Sequence, residues 1–449
     1  MRAIIIGAGK IGYHIAEVLA HENHDVVLIE SNSERIQALE DTLDIQVING
    51  SGTSYNVLEA AGIREADLLV AVTGIDEINI ISCILAKQFG VGTTVARVRN
   101  QEYVLEGQRK GGLFSEIDLV INPEWETAKE IAKLIEVPEA LDVVYYANGK
   151  IQLLELLVHP EAEIVGTRLK DIKADFSYLL IAILRKGKML IPRGDDRIEA
   201  DDIIFVMAKT AEMEKVERFL GMERLKADKV MILGADLIGL NLARLLEEQR
   251  ITVKIIEKRR DRCVEVAHQL QNTIVLHGDG TDLDLLKSEG IGDVDVFVCL
   301  TDDDKLNLLV GLLAKHHGAK RAIAQVRRSD YVELMEKVGI DAGISPRLLT
   351  AEAILRFIKR GRGVLSVTLL SEERAEMLEV VVPDKSGLVD KKIKDINFPK
   401  GAIIGSIYRK DNVIIASGED VLKPGDIITV FALPQALKKV EEFLGIDLD

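Results

Sequence analysis

Ile4-Ile5-Ile6-Gly7-Ala8-Gly9-Lys10-Ile11-Gly12-Tyr13 is the stretch whose reading decides the fold. An apolar run enters a GxGxxG turn and leaves it in a helical pattern. Strand, glycine turn and helix in that order form the dinucleotide-binding fingerprint. Gly7 allows the tight turn, Gly9 lets the backbone approach a pyrophosphate, and Gly12 permits close helix–strand packing. Ala8, Lys10 and Ile11 complete the loop, and the helix that begins there offers unpaired N–H groups to phosphate. The next buried strand, 26–29, runs into Glu30. A carboxylate there accepts hydrogen bonds from a ribose diol and repels a 2′-phosphate, which favours NAD or a plain adenine nucleotide over NADP. The alternatives are a purely structural glycine turn and a solvated charge at a strand end.

The chain repeats this stretch. Gly234-Ala235-Asp236-Leu237-Ile238-Gly239 follows at an offset of 227 residues from Gly7, and Glu257 follows Glu30 at the same offset. Gly50-Ser51-Gly52-Thr53 returns as Gly278-Asp279-Gly280-Thr281. Thr73, Asp76 and Asn79 return as Thr301, Asp304 and Asn307, and Arg99 and Tyr103 as Arg327 and Tyr331. So long a register is a tandem duplication.

Each half divides in two. Its first part reads as short buried strands, 3–6, 26–29, 46–48, 68–72, 94–98 and 119–121, separated by helical patterns, the rhythm of a parallel sheet. Its second part reads as strands 153–158, 179–185, 188–191 and 203–207, with counterparts at 378–382, 403–408, 413–416 and 427–431, each set ending in a short helix. The fold class expected is α/β, two Rossmann-like parallel-sheet domains each followed by a small α+β domain. The expected limits are 1–137, 138–226, 227–361 and 362–449, with boundaries near Pro138, Ala227 and Gly361-Arg362-Gly363.

The remaining candidates lie at the carboxyl edge of the sheets, where open α/β folds bind ligands. Thr73, with Gly74 beside it, and Thr301 follow the fourth strands. Their hydroxyls could meet phosphate or ribose, or cap the next helix. Ser51 and Thr53, and Asp279 and Thr281, sit on the turn after the third strands. Arg97 and Arg99 end the fifth strand and could grip a phosphate bidentately or form surface salt bridges. The second half keeps Arg327 but has Gln325 in place of Arg97. Asp236 stands where the pyrophosphate-approaching glycine should be, adding bulk and negative charge, so the two halves should differ.

Composition narrows the class. Of 449 residues, 47% are hydrophobic, 29% charged and 4% aromatic, which fits Ile-, Val-, Leu- and Ala-rich sheets under helices and excludes disorder. With 57 basic and 73 acidic residues the formal charge is −16, a poor match for nucleic acid and a good one for a basic protein surface. The three cysteines, Cys83, Cys263 and Cys299, form no CxxC and read as buried apolar residues in a reducing compartment. No apolar run reaches membrane-spanning length, so a cytoplasmic protein is expected. The eight histidines read as surface or cap residues. No metal-ligand spacing and no catalytic constellation is evident.

The loop residues Gly7 to Gly12, the Gly278-Asp279-Gly280-Thr281 turn, the Ala96-Arg97-Val98-Arg99-Asn100 stretch and the order of the four modules together resemble the TrkA family of cytoplasmic regulatory subunits of Trk potassium-uptake systems. The resemblance covers the whole chain. It implies RCK N-terminal (KTN) and TrkA-C domains, binding of NAD(H) and of ATP or ADP, and a homo-oligomeric ring, read as tetrameric. It also implies docking at the inner face of the cell membrane on a potassium-translocating subunit, with no nucleic-acid partner and no catalysis. By the same resemblance Gly7 to Gly12, Glu30, Thr53, Thr73 and Arg99 line a first site. Gly234 to Gly239, Glu257, Asp279, Thr281, Thr301 and Arg327 line a second. Arg99 is a candidate contact to a phosphate across a subunit interface. Ser51 and Asp236 depart from the family pattern. The competing reading is an NAD-dependent dehydrogenase. It explains one fingerprint but not two, nor small modules without an acid–base candidate.

Overall fold

A computed structural model describes every residue except 41, 42, 44, 101, 105–111, 113, 137–139, 148, 222–226, 359–363, 371–374, 384–387 and 447–449, with 38–40, 140–142, 329, 356 and 364–369 described by backbone alone. The boundaries expected near Pro138 and at Gly361-Arg362-Gly363 lie outside the described residues.

In the first half, β1 (Arg2–Ile6), β2 (Asp25–Glu30), β3 (Gln46–Asn49), β4 (Leu68–Ala71), β5 (Thr93–Arg97) and β6 (Leu119–Ile121) form a sheet in the order β3-β2-β1-β4-β5-β6. Every pair is parallel. Ala3, Ile4, Ile5 and Ile6 are at most 2% exposed, because helices cover both faces of such a sheet and leave no polar side for the strand. The order reverses between β1 and β4, the kind of switch point at which open α/β sheets bind ligands. Next come β7 (Ala140–Tyr146), β8 (Ile151–Leu157), β9 (Tyr178–Arg185), β10 (Lys188–Leu190) and β11 (Ile203–Lys209), an antiparallel sheet in the order β10-β9-β11-β8-β7.

The second half repeats both sheets. The strands β12 (Lys229–Leu233), β13 (Thr252–Glu257), β14 (Ile274–His277), β15 (Val296–Cys299), β16 (Arg321–Gln325) and β17 (Ala342–Ile344) are again all parallel, in the order β14-β13-β12-β15-β16-β17. The antiparallel set is β18 (Val364–Leu370), β19 (Ala375–Val381), β20 (Ala402–Arg409), β21 (Asn412–Ile415) and β22 (Ile427–Ala432), ordered β18-β19-β22-β20-β21. Each small sheet thus has one strand more than the sequence pattern indicated, β7 and β18.

The chain divides into two compact units. One joins Met1–Ala132 with Ala227–Leu355, and the other joins Lys133–Lys226 with Arg356–Asp449. The first unit therefore holds both parallel sheets and the second both antiparallel ones. Within the second unit the two small sheets share an apolar core that includes Tyr146, Leu153, Phe205 and Met207 from one half and Leu370, Met377 and Phe431 from the other. Each small domain is also pinned by a bidentate ion pair. Arg185 Nε and Nη2 donate to the two oxygens of Asp202, at 2.7 Å each. Arg409 grips Asp426 the same way, at 2.7 and 2.6 Å. Both carboxylates are 1% exposed, so the paired guanidinium is what makes a charge tolerable there. Among the described residues no helix is long and apolar enough to cross a membrane.

Candidate functional site

The loop after β1 is fixed by two of its three glycines. Gly7 has φ +100°, and its N–H donates to Ile29 O at 2.9 Å, tying the turn to β2. A Cβ on Gly12 would lie 2.0 Å from Gly7 O, so the helix Lys10–His21 could not approach the turn with any side chain there. Gly9 is different. Its backbone is ordinary extended chain (φ −68°, ψ 177°), and an added Cβ would meet nothing within 4 Å. Neither backbone conformation nor packing demands a glycine at this position. It keeps an open cradle at the first turn of a helix that has no side-chain N-cap bond, which is where an incoming phosphate needs access to N–H groups.

Glu30 is 6% exposed at the end of β2. Its Oε2 accepts from Ala8 N at 2.8 Å, and its Oε1 from Ser31 N and Asn32 N, also at 2.8 Å. The carboxylate therefore shapes the glycine loop itself, and its charge lies against the loop's edge. These bonds use most of its roughly four acceptor positions.

The repeated residues around Thr73 form a bracket. Asn79 Oδ1 accepts from Thr73 N at 2.9 Å and from the Thr73 hydroxyl at 2.7 Å. Its Nδ2 donates to Thr73 O at 3.1 Å and to Arg97 O at 2.8 Å. Asn79 is fully buried and so staples the end of β4 to the end of β5. Thr301, Asn307 and Gln325 repeat this arrangement in the second half. Neither threonine is the helix N-cap that the sequence left open; those positions are Ile75 and Asp303. Asp76 accepts from the N–H groups of Arg99 and Asn100, and Asp304 from that of Arg327. Beside Thr73, a Cβ on Gly74 would meet nothing within 4 Å.

The turn after β3 is kept by equivalent chemistry in the two halves. Asp279 Oδ1 accepts from Thr281 N and from its hydroxyl, at 3.0 and 2.8 Å. Ser51 Oγ lies 2.8 Å from Thr53 Oγ1 and accepts from Thr53 N at 3.3 Å. Ser51 thus holds the same turn without the charge. Asp279 in addition pairs with Lys258 at 2.9 Å, and that partner, with the two Thr281 donors, keeps its carboxyl well below the usual range.

A cavity of about 720 Å³ in this unit is lined from both halves by Ile11, Arg97, Arg99, Glu124, Asp236, Leu237, Ile238, Arg259, Arg327 and Arg347, among others. Arg99 Nε donates to Glu124 at 2.6 Å. Arg97 Nη1 donates to Thr73 O at 2.9 Å, while its buried Nε has no partner. Burial, with the like charges of Arg99 and Arg347 nearby, lowers the pKa of Arg97 below the ordinary arginine value. The fifth-strand arginines thus line this cavity. Arg347, which the sequence reading passed over, is there too, and its Nη1 donates to Arg327 O at 3.1 Å.

The second glycine loop keeps the scaffold of the first. Gly234 has φ +105°, and a Cβ on Gly239 would lie 2.2 Å from Gly234 O. Ala235 N donates to Glu257 Oε2 at 3.0 Å, as Ala8 does to Glu30. Burial opposes ionisation of Glu257, but the N–H groups of Arg259 and Ala235 and the Arg259 guanidinium outweigh it and hold the carboxyl below its ordinary value. Asp236 does not stand as a free charge. Its Oδ1 is 2.6 Å from Arg259 Nη2. Arg259 was invisible in the sequence because it is one basic residue in the run Lys258-Arg259-Arg260-Asp261-Arg262. The parallel pairing of β12 with β13 brings it to the loop.

Comparison with known proteins agrees with this layout. The TrkA-N domain family matches residues 3–123 and 230–346, and the TrkA-C domain family matches 153–221 and 377–445. A Methanosarcina mazei protein, Trk system potassium uptake protein TrkA homolog 2, is 38% identical, with 98% of this chain and 99% of the relative covered. Trk system potassium uptake protein TrkA of Azorhizobium caulinodans is 34% identical, with both chains covered completely. The GsuK channel bound to NAD shares the fold, with a TM-score of 0.65, 18% identity, and 99% of this chain and 79% of that one covered. A crystal structure of GsuK bound to ADP aligns with a TM-score of 0.50 and 16% identity over 80% of this chain and 69% of that one.

Proposed function

The chain belongs to the TrkA family, and on that premise we propose that it is the cytoplasmic regulatory subunit of a potassium-uptake system, binding NAD(H) and ATP or ADP and gating a potassium-translocating membrane subunit. The observation that carries the nucleotide part is Gly9, a glycine that neither φ nor packing requires, placed where a pyrophosphate must approach the helix. Gly7 to Gly12 would hold the pyrophosphate, and Glu30, besides shaping the loop, would face the adenosine ribose and disfavour a 2′-phosphate. The bracket of Thr73, Asn79 and Asp76 would hold Arg97 and Arg99 at the cavity, where guanidinium groups suit further phosphates. The GsuK structures with NAD and with ADP support the same ligand class. The domain limits 1–137, 138–226, 227–361 and 362–449 and a homo-oligomeric ring, read as tetrameric, belong to this reading.

Gating follows from differential affinity. A ligand that binds one ring state tenfold more tightly shifts the equilibrium by about 1.4 kcal/mol per site. Isothermal titration of nucleotide-stripped protein with NADH, NAD, ATP, ADP and NADPH tests the binding step. Saturable binding of NADH or of ATP and ADP with rejection of NADPH is expected. Indifference to all five overturns the reading.

A further inference from the structure

The two glycine loops have one backbone and two occupants. Gly9 has φ −68° and ψ 177°, and Asp236 has φ −69° and ψ −173°, so strain does not choose between them. The space that is open beside Gly9 receives a carboxylate in the second half. Arg259 then bridges two acids. Its Nη2 donates to Asp236 at 2.6 Å, and its Nε donates to Glu257 Oε1 at 3.2 Å, the oxygen that also accepts its own N–H at 2.8 Å. One guanidinium therefore reaches from the acid at the end of β13 to the loop position before the helix Leu237–Glu248. In the first half the residue at this position is Asn32, whose side chain turns the other way and accepts from Glu34 N and Arg35 N at 3.0 and 3.4 Å. Glycine to aspartate and asparagine to arginine are thus paired differences between the halves, and their charges cancel.

We propose that the Asp236–Arg259 pair closes the second loop by taking the span between the ribose-facing acid and the pyrophosphate-facing turn, so that each chain has one dinucleotide site, in the first half. This rests on the first loop being a nucleotide site. Asp236 is the barrier and Arg259 its neutralising partner. With Arg259 removed, the bare Asp236 carboxylate about 4 Å from a pyrophosphate would weaken its binding roughly a thousandfold. Arg259 cancels that charge for the folded protein but adds its own bulk to the same span. Both side chains are about half exposed (54% and 55%), so exchanging them leaves the core untouched.

The test is NADH stoichiometry on the full-length, nucleotide-stripped chain, with the thermal unfolding midpoint as a check on folding. Wild type should bind one NADH per chain. The double variant Asp236→Gly/Arg259→Asn, which installs the first half's residues, should bind two, and Asp236→Gly alone should already reveal the second site. Arg259→Asn alone should stay at one, because the carboxylate remains. Two equivalent sites in wild type, or one site in a double variant with an unchanged midpoint, overturns the inference and leaves the nucleotide reading standing. No binding to wild type or variant overturns the nucleotide reading itself.

Discussion

Replacing Gly9 and Gly12 by alanine, one at a time, should separate what the glycine loop needs for folding from what it needs for a ligand. A methyl at Gly9 meets no atom within 4 Å, and the backbone there is extended chain that alanine adopts freely. Gly9→Ala should therefore leave the fold intact and change its stability by no more than about 1 kcal/mol, the lower entropy of the unfolded chain being offset by alanine's poorer fit at a helix N-cap. A methyl at Gly12 lies 2.0 Å from Gly7 O and 3.2 Å from Val72 Cγ2. Helix or turn must shift, which costs about 1–3 kcal/mol. Binding should follow a different order. The Gly9 methyl stands where the pyrophosphate approaches and should remove one charge-assisted hydrogen bond, about 1.5–3 kcal/mol, or roughly ten- to a hundredfold in NADH affinity. Urea unfolding and calorimetric titration of both variants provide the two readouts. A Gly9→Ala protein destabilised by more than about 1 kcal/mol, or one that binds NADH like wild type, refutes the assignment of the loop.

Other expectations follow from the rest of the molecule. Arg185→Ala strands the buried Asp202 carboxylate and should cost the small domain about 3 kcal/mol or more, read as a lowered urea midpoint. Cys83 and Cys299 are fully buried, and burial pushes their thiols up, so neither should react with a thiol reagent at pH 8 until the protein is unfolded. Burial opposes ionisation of Glu247, but it accepts from the N–H groups of Gln271, Asn272 and Thr273 and from the Thr273 hydroxyl, and these hold it below the ordinary value. A depressed carboxyl pKa gives stability that is present above about pH 4.3 and lost as pH falls through the folded value. Glu247→Gln should therefore be about 1 kcal/mol less stable at pH 7, with the difference shrinking below about pH 4 in pH-dependent unfolding.

The strands of the parallel sheets were legible because burial on both faces makes them continuous apolar runs, and β1 with its glycine turn fixed the register of everything after it. The expected segment 68–72 became Leu68–Ala71, and 94–98 became Thr93–Arg97, shifts of one residue. The strands β7 and β18 were missed. Each is an edge strand that opens a small domain, beside a segment read as a boundary, and its apolar run was absorbed into that boundary. The site was legible as a set of repeated residues but not in its division of labour. Thr73, Asp76 and Asn79 recur because they build the bracket at the ends of β4 and β5, a role that spacing alone cannot separate from ligand contact. Arg259 escaped notice because its partner, Asp236, is 23 residues away and is reached only through strand pairing. The signal was present in the repeat, where Gly9 and Asn32 both differ from their counterparts.

The account is tested most directly by potassium flux into vesicles that carry a Trk-type membrane subunit reconstituted with this protein, measured with and without NADH, ATP and ADP, for wild type and Gly9→Ala. Flux that responds to nucleotide with wild type and loses that response with Gly9→Ala is the predicted result. Flux that ignores every nucleotide, or responds equally with both proteins, contradicts it.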